Sequence, residues 1–415
     1  MKILVKNQKK LILHITSSPH AYSGSGGRTR VLSIQNLHKK LGYKTKVVCL
    51  VSLFNYLKPL KLFASKKQLA SDAKSNVSYV PTIITKNIYF LILLRDQISI
   101  FILNIILKLN KPDLIYCHGT NESYLGLQLR INSKNVIADL HGAAPEEFIY
   151  RTKQGKDNLL YKHLEKRELY VIKNVSKMVT VSKMMIDHLE KKFSFIPNDA
   201  KVVPCLTIKP KYFKTRELIR DELGINNKIA FVYCGSYRTY QLIDKTLALY
   251  KSISEKIPNT KLFIFTNNQD EIKKEIESID LPVENYSLMS LERNEVGTYL
   301  NAMDISLLLR DNSILNRVSS PTKFSEYMIN GLPVITTEYV GDYSYLVRKH
   351  KLGFIISGYY CSDNLKDYIL KTSQNSLSIR NDCRDFAAKY LIWDVAIDTY
   401  RDTLMDDLKN MKTSL

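Results

Sequence analysis

Ser319-Ser320-Pro321-Thr322-Lys323-Phe324-Ser325-Glu326-Tyr327-Met328-Ile329-Asn330-Gly331-Leu332-Pro333-Val334-Ile335 reads as a short helix with its own start and stop signals. Ser320 suits an N-cap, and Pro321 suits the first helical position, where a missing N–H costs nothing. Gly331 supplies a left-handed C-terminal turn, and Pro333 prevents continuation. Apolar runs stand on either side: residues 305–309 read as a buried strand ending at Arg310, and residues 334–337 as the next strand. A helix that opens just past a parallel strand offers free N–H groups and a positive dipole end to an anion. Lys323 adds a full charge in the first turn. Glu326, on the same face, is an acceptor-only group suited to paired hydroxyls. A ligand with a phosphate at one end and a diol at the other, such as a nucleotide sugar, would suit both.

Outward from this stretch the chain alternates strand and helix. In the first half, strands are expected at 11–16, 45–50, 77–80, 114–117, 136–140, 178–181 and 201–203, and a helix at 28–41 that Gly42 ends. The second half repeats the pattern: a strand at 229–234, a helix from Leu242, a strand at 261–266 and a helix from Gln269. Such alternation predicts an α/β protein with two doubly wound parallel sheets and ligands at the C-terminal strand ends. A length of 415 residues suits two domains. The linker is expected near 204–212, around Pro204 and Pro210.

The net charge of +21 lies entirely in the first half: residues 1–210 hold 34 Lys and Arg against 13 Asp and Glu, and residues 211–415 hold 27 of each. A one-sided basic domain implies an anionic partner, whether a membrane surface, an anionic polymer or nucleic acid. Nucleic acid is disfavoured, because neither a basic-aromatic stacking pattern nor a zinc module accompanies the charge. The six cysteines show no CxxC spacing, and Cys49, Cys117 and Cys234 sit in strand-like runs, so reduced core residues are expected. The basic start is followed by no small-residue cleavage site, so a cytoplasmic location is expected. Residues 88–109 are apolar but interrupted by Arg95, Asp96, Gln97 and Asn104, short of the roughly 18–20 uninterrupted residues that span a bilayer. A buried or amphipathic helix is the favoured reading. The alternative rests on a membrane, helped by Lys58, Lys61, Lys66 and Lys67, as a peripheral protein on the inner face of the cell membrane.

Three further stretches hold candidate site residues. Ser23-Gly24-Ser25-Gly26-Gly27-Arg28 follows the first strand; glycines there permit close backbone approach, though a mobile surface loop reads the same way. Asp139-Leu140-His141-Gly142-Ala143-Ala144-Pro145-Glu146-Glu147 places His141 at a strand's C-terminal tip, with a structural role as the alternative. Glu146 and Glu147 are expected to contact an acceptor or cap the next helix. His118 ends another strand and is a weaker candidate facing the same cleft. Tyr233-Cys234-Gly235-Ser236-Tyr237-Arg238-Thr239-Tyr240-Gln241 ends the first strand of the second half.

The 319–335 stretch, with these loops, resembles the signature of the bacterial group 1 glycosyltransferases, a retaining family of GT-B fold. The resemblance implies two Rossmann-like domains facing a central cleft: an acceptor-side domain over 1–205, a nucleotide-sugar domain over 206–390, and a C-terminal helix at 391–415 crossing back to the first. It implies that Glu326 contacts the nucleotide ribose and that Lys323, with the Pro321-Thr322 backbone, holds the diphosphate. Gly26 and Gly27 would lie against the diphosphate and reacting sugar, and His141 near the sugar and acceptor, orienting it or sharing developing charge. The family's G-R-x-x-x-x-K-G pattern is not met. Ser236 follows Gly235 where the Arg stands, and Gln241 replaces the Lys, leaving Arg238, Lys245 or Arg310 to supply charge. Val318 replaces the first glutamate of the E-x7-E motif. The expected activity is transfer of a hexose from a nucleotide-diphosphate sugar, UDP favoured, to a cell-envelope polysaccharide or lipid-linked acceptor. Neither metal nor cofactor is expected, since no DxD-type carboxylate pair is present. Rival readings are a catalytically silent partner subunit and a nucleotide-sugar 2-epimerase.

Overall fold

The computed structural model describes residues 10–17, 26–52, 76–83, 89–398 and 401. Contacts divide the chain into two compact units, Met1–Val203 with Ala396–Leu415, and Pro204–Val395.

In the first unit seven strands form one parallel sheet: β1 (Leu11–Thr16), β2 (Lys44–Ser52), β3 (Val77–Thr82), β4 (Leu114–His118), β5 (Val136–Leu140), β6 (Lys177–Thr180) and β7 (Asp199–Val202). Their order is β3-β2-β1-β4-β5-β6-β7. The second unit repeats the design with β8 (Ile229–Cys234), β9 (Thr260–Phe265), β10 (Tyr286–Met289), β11 (Ile305–Leu308), β12 (Val334–Thr336) and β13 (Gly353–Ile355), in the order β10-β9-β8-β11-β12-β13. The strands are continuous apolar runs because helices cover both faces of such a sheet. In each sheet the winding reverses beside the first strand, between β1 and β4 and between β8 and β11. Ligands of doubly wound sheets bind at such a point, beyond the strand C-termini. The doubly wound α/β class expected from the alternation is the one observed.

Several expected boundaries move by one or two residues, and β10 and β13 are strands that the sequence pattern did not mark. Gly26 and Gly27 fall in the first turn of helix Gly26–Lys40, not in a loop ahead of Arg28; Ser23, Gly24 and Ser25 lie outside the described residues, as do Lys58, Lys61, Lys66 and Lys67. The segment expected as a linker is instead pinned to the second unit. Ser325 Oγ donates to the Cys205 carbonyl at 2.7 Å, Cys205 N–H donates to Ser320 Oγ at 2.8 Å, and Thr207 forms a bridge with Ile392. Cys49, Cys117 and Cys234 are buried, and none is in a disulfide.

Helix Tyr89–Asn110 follows β3. Among the described residues it is the one helix long and apolar enough to cross a membrane. One face carries Asp96, Ser99, Leu103 and Leu107 against the first unit. There Asp96 pairs with Arg167 and, at 2.9 Å, with Arg95. The buried charge explains the interruption seen in the sequence: it ties the helix to the body of the unit.

Candidate active site

In the second unit the site is built around the end of β8, the end of β11 and helix Thr322–Ile329. That helix begins one residue later than the sequence suggests, with Pro321 as N-cap and no side-chain cap. Ser320 does not cap it, because its hydroxyl is already engaged by Cys205 N–H and by the Tyr343 hydroxyl at 2.8 Å. Phe324 N–H turns back to the Pro321 carbonyl at 3.0 Å, which leaves the Thr322 and Lys323 N–H groups at the start of the helix for a ligand. Gly331 takes the expected left-handed turn at φ 74°. Tyr327, fully buried, accepts a 2.9 Å hydrogen bond from Cys234 N–H and so fixes the helix against the end of β8.

Lys323 and Glu326 stand one turn apart on this helix, Nζ and Oε2 4.0 Å apart, both about 30% exposed. Cys234 and Glu326 hold the Lys323 ammonium above its ordinary value, so it is charged at neutral pH. Beyond β11 stands Arg310, 4% exposed. Its Nη1 donates to the Leu309 carbonyl at 2.8 Å, and its guanidinium lies 5.7 Å from the Tyr240 ring centre. Among the described residues no carboxylate lies within 4.0 Å of it. Burial pushes its pKa down, the sign of a cation poorly compensated by its surroundings.

The two departures from the family pattern prove to be neighbours. Gln241 Nε2 donates to Ser236 Oγ at 3.3 Å, and the Tyr233 hydroxyl lies 2.8 Å from Gln241 Oε1 and 3.2 Å from the Ser236 carbonyl. A Cβ on Gly235 would come within 2.8 Å of that hydroxyl, so the network needs glycine there. A neutral, internally satisfied cluster thus occupies the place of two cations. Arg238 is exposed, and Lys245 pairs with Asp244 at 3.5 Å on the surface. Of the three cations considered from sequence, Arg310 is the buried one. Val318 is buried at the end of helix Ile314–Arg317, which the sequence pattern did not mark.

In the first unit a line of buried polar groups runs beneath the ends of β1, β4 and β5. His38 Nδ1 lies 3.1 Å from His14 Nε2, His14 Nδ1 lies 3.0 Å from His118 Nε2, and His118 Nδ1 lies 3.3 Å from Asp139 Oδ2. Arg30 clamps Asp139 with Nε at 2.9 Å and Nη2 at 2.7 Å, and its Nη1 reaches the Val203 carbonyl at 3.0 Å. Burial alone would raise the Asp139 carboxyl, but Arg30 and His118 hold it well below the usual carboxylate range. An ionised Asp139, 3.3 Å from His118 Nδ1 but outside hydrogen-bond geometry, favours the proton on that nitrogen, which leaves His118 Nε2 to accept from His14, and His14 Nε2 from His38. One carboxylate sets three tautomers. His118, 2% exposed, is therefore a buried structural link between His14 and Asp139, not the acceptor-facing residue expected from sequence. His118, Asp139 and His141 bring their ligand atoms within 4.8 Å of one another. Both Asp139 oxygens are already held, with a guanidinium beside them, so this donor set does not suit a cation.

His141 follows β5 directly. Burial, opposed by Asp139 and aided by Arg30 and His118, lowers its pKa to about 4, and its buried Nε2 has no hydrogen-bond partner. It is neutral near pH 7, too weak for a general base but able to bind a hydroxyl. Glu146 is turned away from such a role. It lies 2.8 Å from Lys192 and 3.4 Å from His188, and Lys192 also reaches Glu168 at 2.8 Å. Burial would raise the Glu146 carboxyl, but His188 and Lys192 bring it below its ordinary value. Glu147 is half-exposed and pairs with Arg151 at 3.6 Å. Neither carboxylate caps helix Ala144–Thr152, though both sit in its first turn, where the dipole favours them. Sequence reading also missed Glu122, buried just past the end of β4, its carboxyl raised by burial. Its spacing of four residues after His118 was the available signal.

These histidines predict acid sensitivity. In the unfolded chain they protonate near pH 6.5, whereas burial delays this to about 3 for His38 and about 4 for His141. Between those limits the unfolded state binds more protons, so stability falls as pH falls from about 6.5 towards 4, by up to ~1.4 kcal/mol per pH unit for each such histidine. Urea midpoints across that range, flatter for His38→Phe than for the parent, would check this.

One family model, described as glycosyl transferases group 1, matches residues 215–390, and a second, glycosyltransferase family 4, matches residues 31–206. No curated protein matches by sequence. Solved structures share the fold. WaaG, a glycosyltransferase involved in lipopolysaccharide biosynthesis, is 15% identical, with 94% of this chain and 99% of that one covered, at a TM-score of 0.65. HepE of Anabaena, in complex with UDP-glucose, is 14% identical over 95% and 99%, at 0.66. Sucrose-phosphate synthase of Thermosynechococcus elongatus is 13% identical over 97% and 100%, at 0.71. With one half matched by each model and both sheets wound in the same order, the chain belongs to the group 1, family 4 type glycosyltransferases of GT-B fold.

Proposed function

We propose that the protein transfers a hexose from a nucleotide-diphosphate sugar, a UDP-sugar being favoured, to a cell-envelope glycan or lipid-linked acceptor, with retention at the anomeric carbon. The observation that carries the donor half is the buried Arg310 guanidinium, without a carboxylate, at the switch point that also holds Lys323. A diphosphate would supply the missing anion. The structural relative solved with UDP-glucose supports the choice of nucleotide; retention and the acceptor class rest on the family resemblance.

In this reading Glu326 accepts from the ribose hydroxyls. As the sugar leaves, negative charge grows on the diphosphate, and Arg310, the Lys323 ammonium and the Thr322 and Lys323 N–H groups that open helix Thr322–Ile329 are already oriented to meet it. Fixed donors of this kind need no reorganisation in the transition state, and two cations do the neutralising a metal would otherwise do. His141, neutral, orients the acceptor hydroxyl or shares charge developing near the sugar. A silent partner subunit is the second reading, favoured by the neutral Ser236–Gln241 pair and the buried Val318.

The test is a transfer assay with labelled UDP-sugars and lipid-linked acceptors, run with and without excess chelator. Acceptor-dependent transfer that survives the chelator is expected. Interconversion of free donor without acceptor would point to an epimerase, and donor binding without turnover to the silent subunit.

A further inference from the structure

Helix Tyr89–Asn110 is apolar on both sides, yet among the described residues one side alone has a partner. Leu103 and Leu107 pack with Val80, Ile115 and Leu129, while Phe90, Leu94, Phe101, Ile105 and Leu109 point outward. Phe90 is 70%, Phe101 67% and Leu109 77% exposed. Their spacing draws a single stripe along a helix about 33 Å long. A contiguous apolar stripe is not the scattered exposure of an ordinary surface; it marks a binding face. Phe101 and Ile105 open onto a groove of about 560 Å³ that Lys108, Lys111, Arg130 and Ile131 also line. The three cations are exposed, and none has a carboxylate within 4.0 Å among the described residues.

We propose that this face docks on an anionic lipid bilayer, the helix lying in the plane of the interface. Hydrocarbon suits the stripe, and negatively charged headgroups suit Lys108, Lys111 and Arg130. A second copy of the chain would set these cations against themselves, and nucleic acid would leave the stripe uncovered. The helix does not cross the membrane: Asp96 on its other face is tied to the unit by Arg167 of helix Leu159–Asn174. The cytoplasmic leaflet, whose surface potential is negative, is the natural site. This inference is independent of the donor reading.

Flotation of the full chain with phosphatidylcholine vesicles, with and without phosphatidylglycerol, tests it. Binding is expected with the anionic lipid alone and should weaken with salt. Changing Lys108, Lys111 and Arg130 together to Gln should lower partitioning roughly 100-fold. Changing Phe90, Phe101 and Leu109 to Gln should abolish it, while the far-UV circular dichroism and melting temperature of the protein are unchanged. Equal binding to neutral and anionic vesicles would overturn the proposal. So would no binding at all, or a triple Gln variant at the apolar positions whose only change is dissociation of a dimer.

Discussion

Arg310→Gln is expected to lower sugar transfer by about 10²–10³-fold, the usual loss when one fixed donor to a developing charge is removed. The ligand-free protein should be no less stable for it. A buried charge without a counter-charge costs free energy in the folded state, and Gln replaces it with a neutral group. The two results together are diagnostic, because a buried residue that mattered only for packing would lower both stability and turnover. The guanidinium is nearly inaccessible, held by the Leu309 carbonyl and the Tyr240 face, and burial outweighs the influence of Tyr233, Tyr240, Tyr327 and Asp311 on it. Measuring kcat/KM beside the melting temperature of the ligand-free protein separates the cases. Unchanged kcat/KM would move the diphosphate elsewhere.

Arg30→Met is expected to destabilise the protein by about 3–5 kcal/mol, the cost of breaking a buried pair by removing one partner. Asp139 would keep only His118 and His141 as side-chain neighbours among the described residues. The three histidine tautomers depend on that carboxylate, so the damage should extend to His14 and His38. The double variant Arg30→Met with Asp139→Leu should recover part of the loss, since it leaves no orphaned charge. Urea unfolding of the three proteins checks this; a loss below ~1 kcal/mol in the single variant would show the pair to be more solvated than its burial indicates.

The fold was legible because parallel strands buried on two faces are continuous apolar runs, as at Ile229–Cys234, and because Gly42 and Gly331 mark helix ends with positive φ. The short strand Gly353–Ile355 was not legible, since three residues carry too little pattern to distinguish from a loop. At the site, Lys323 and Glu326 could be read because helical spacing alone puts them on one face. Arg310 could be named only as one of three cations, since burial decides among them and burial is a property of the packed sheet. His118 looked functional at a strand tip; contacts from His14, 104 residues away, and Asp139, 21 residues away, made it structural. Long-range pairing of this kind leaves no local trace.

The most direct measurement is calorimetric titration of the protein with UDP, GDP, TDP and CMP, repeated with Lys323→Ala and Glu326→Ala. Binding of one nucleotide class, UDP foremost, that is lost in both variants would place the donor on helix Thr322–Ile329. No binding of any nucleotide, or binding indifferent to both substitutions, would contradict a donor site there.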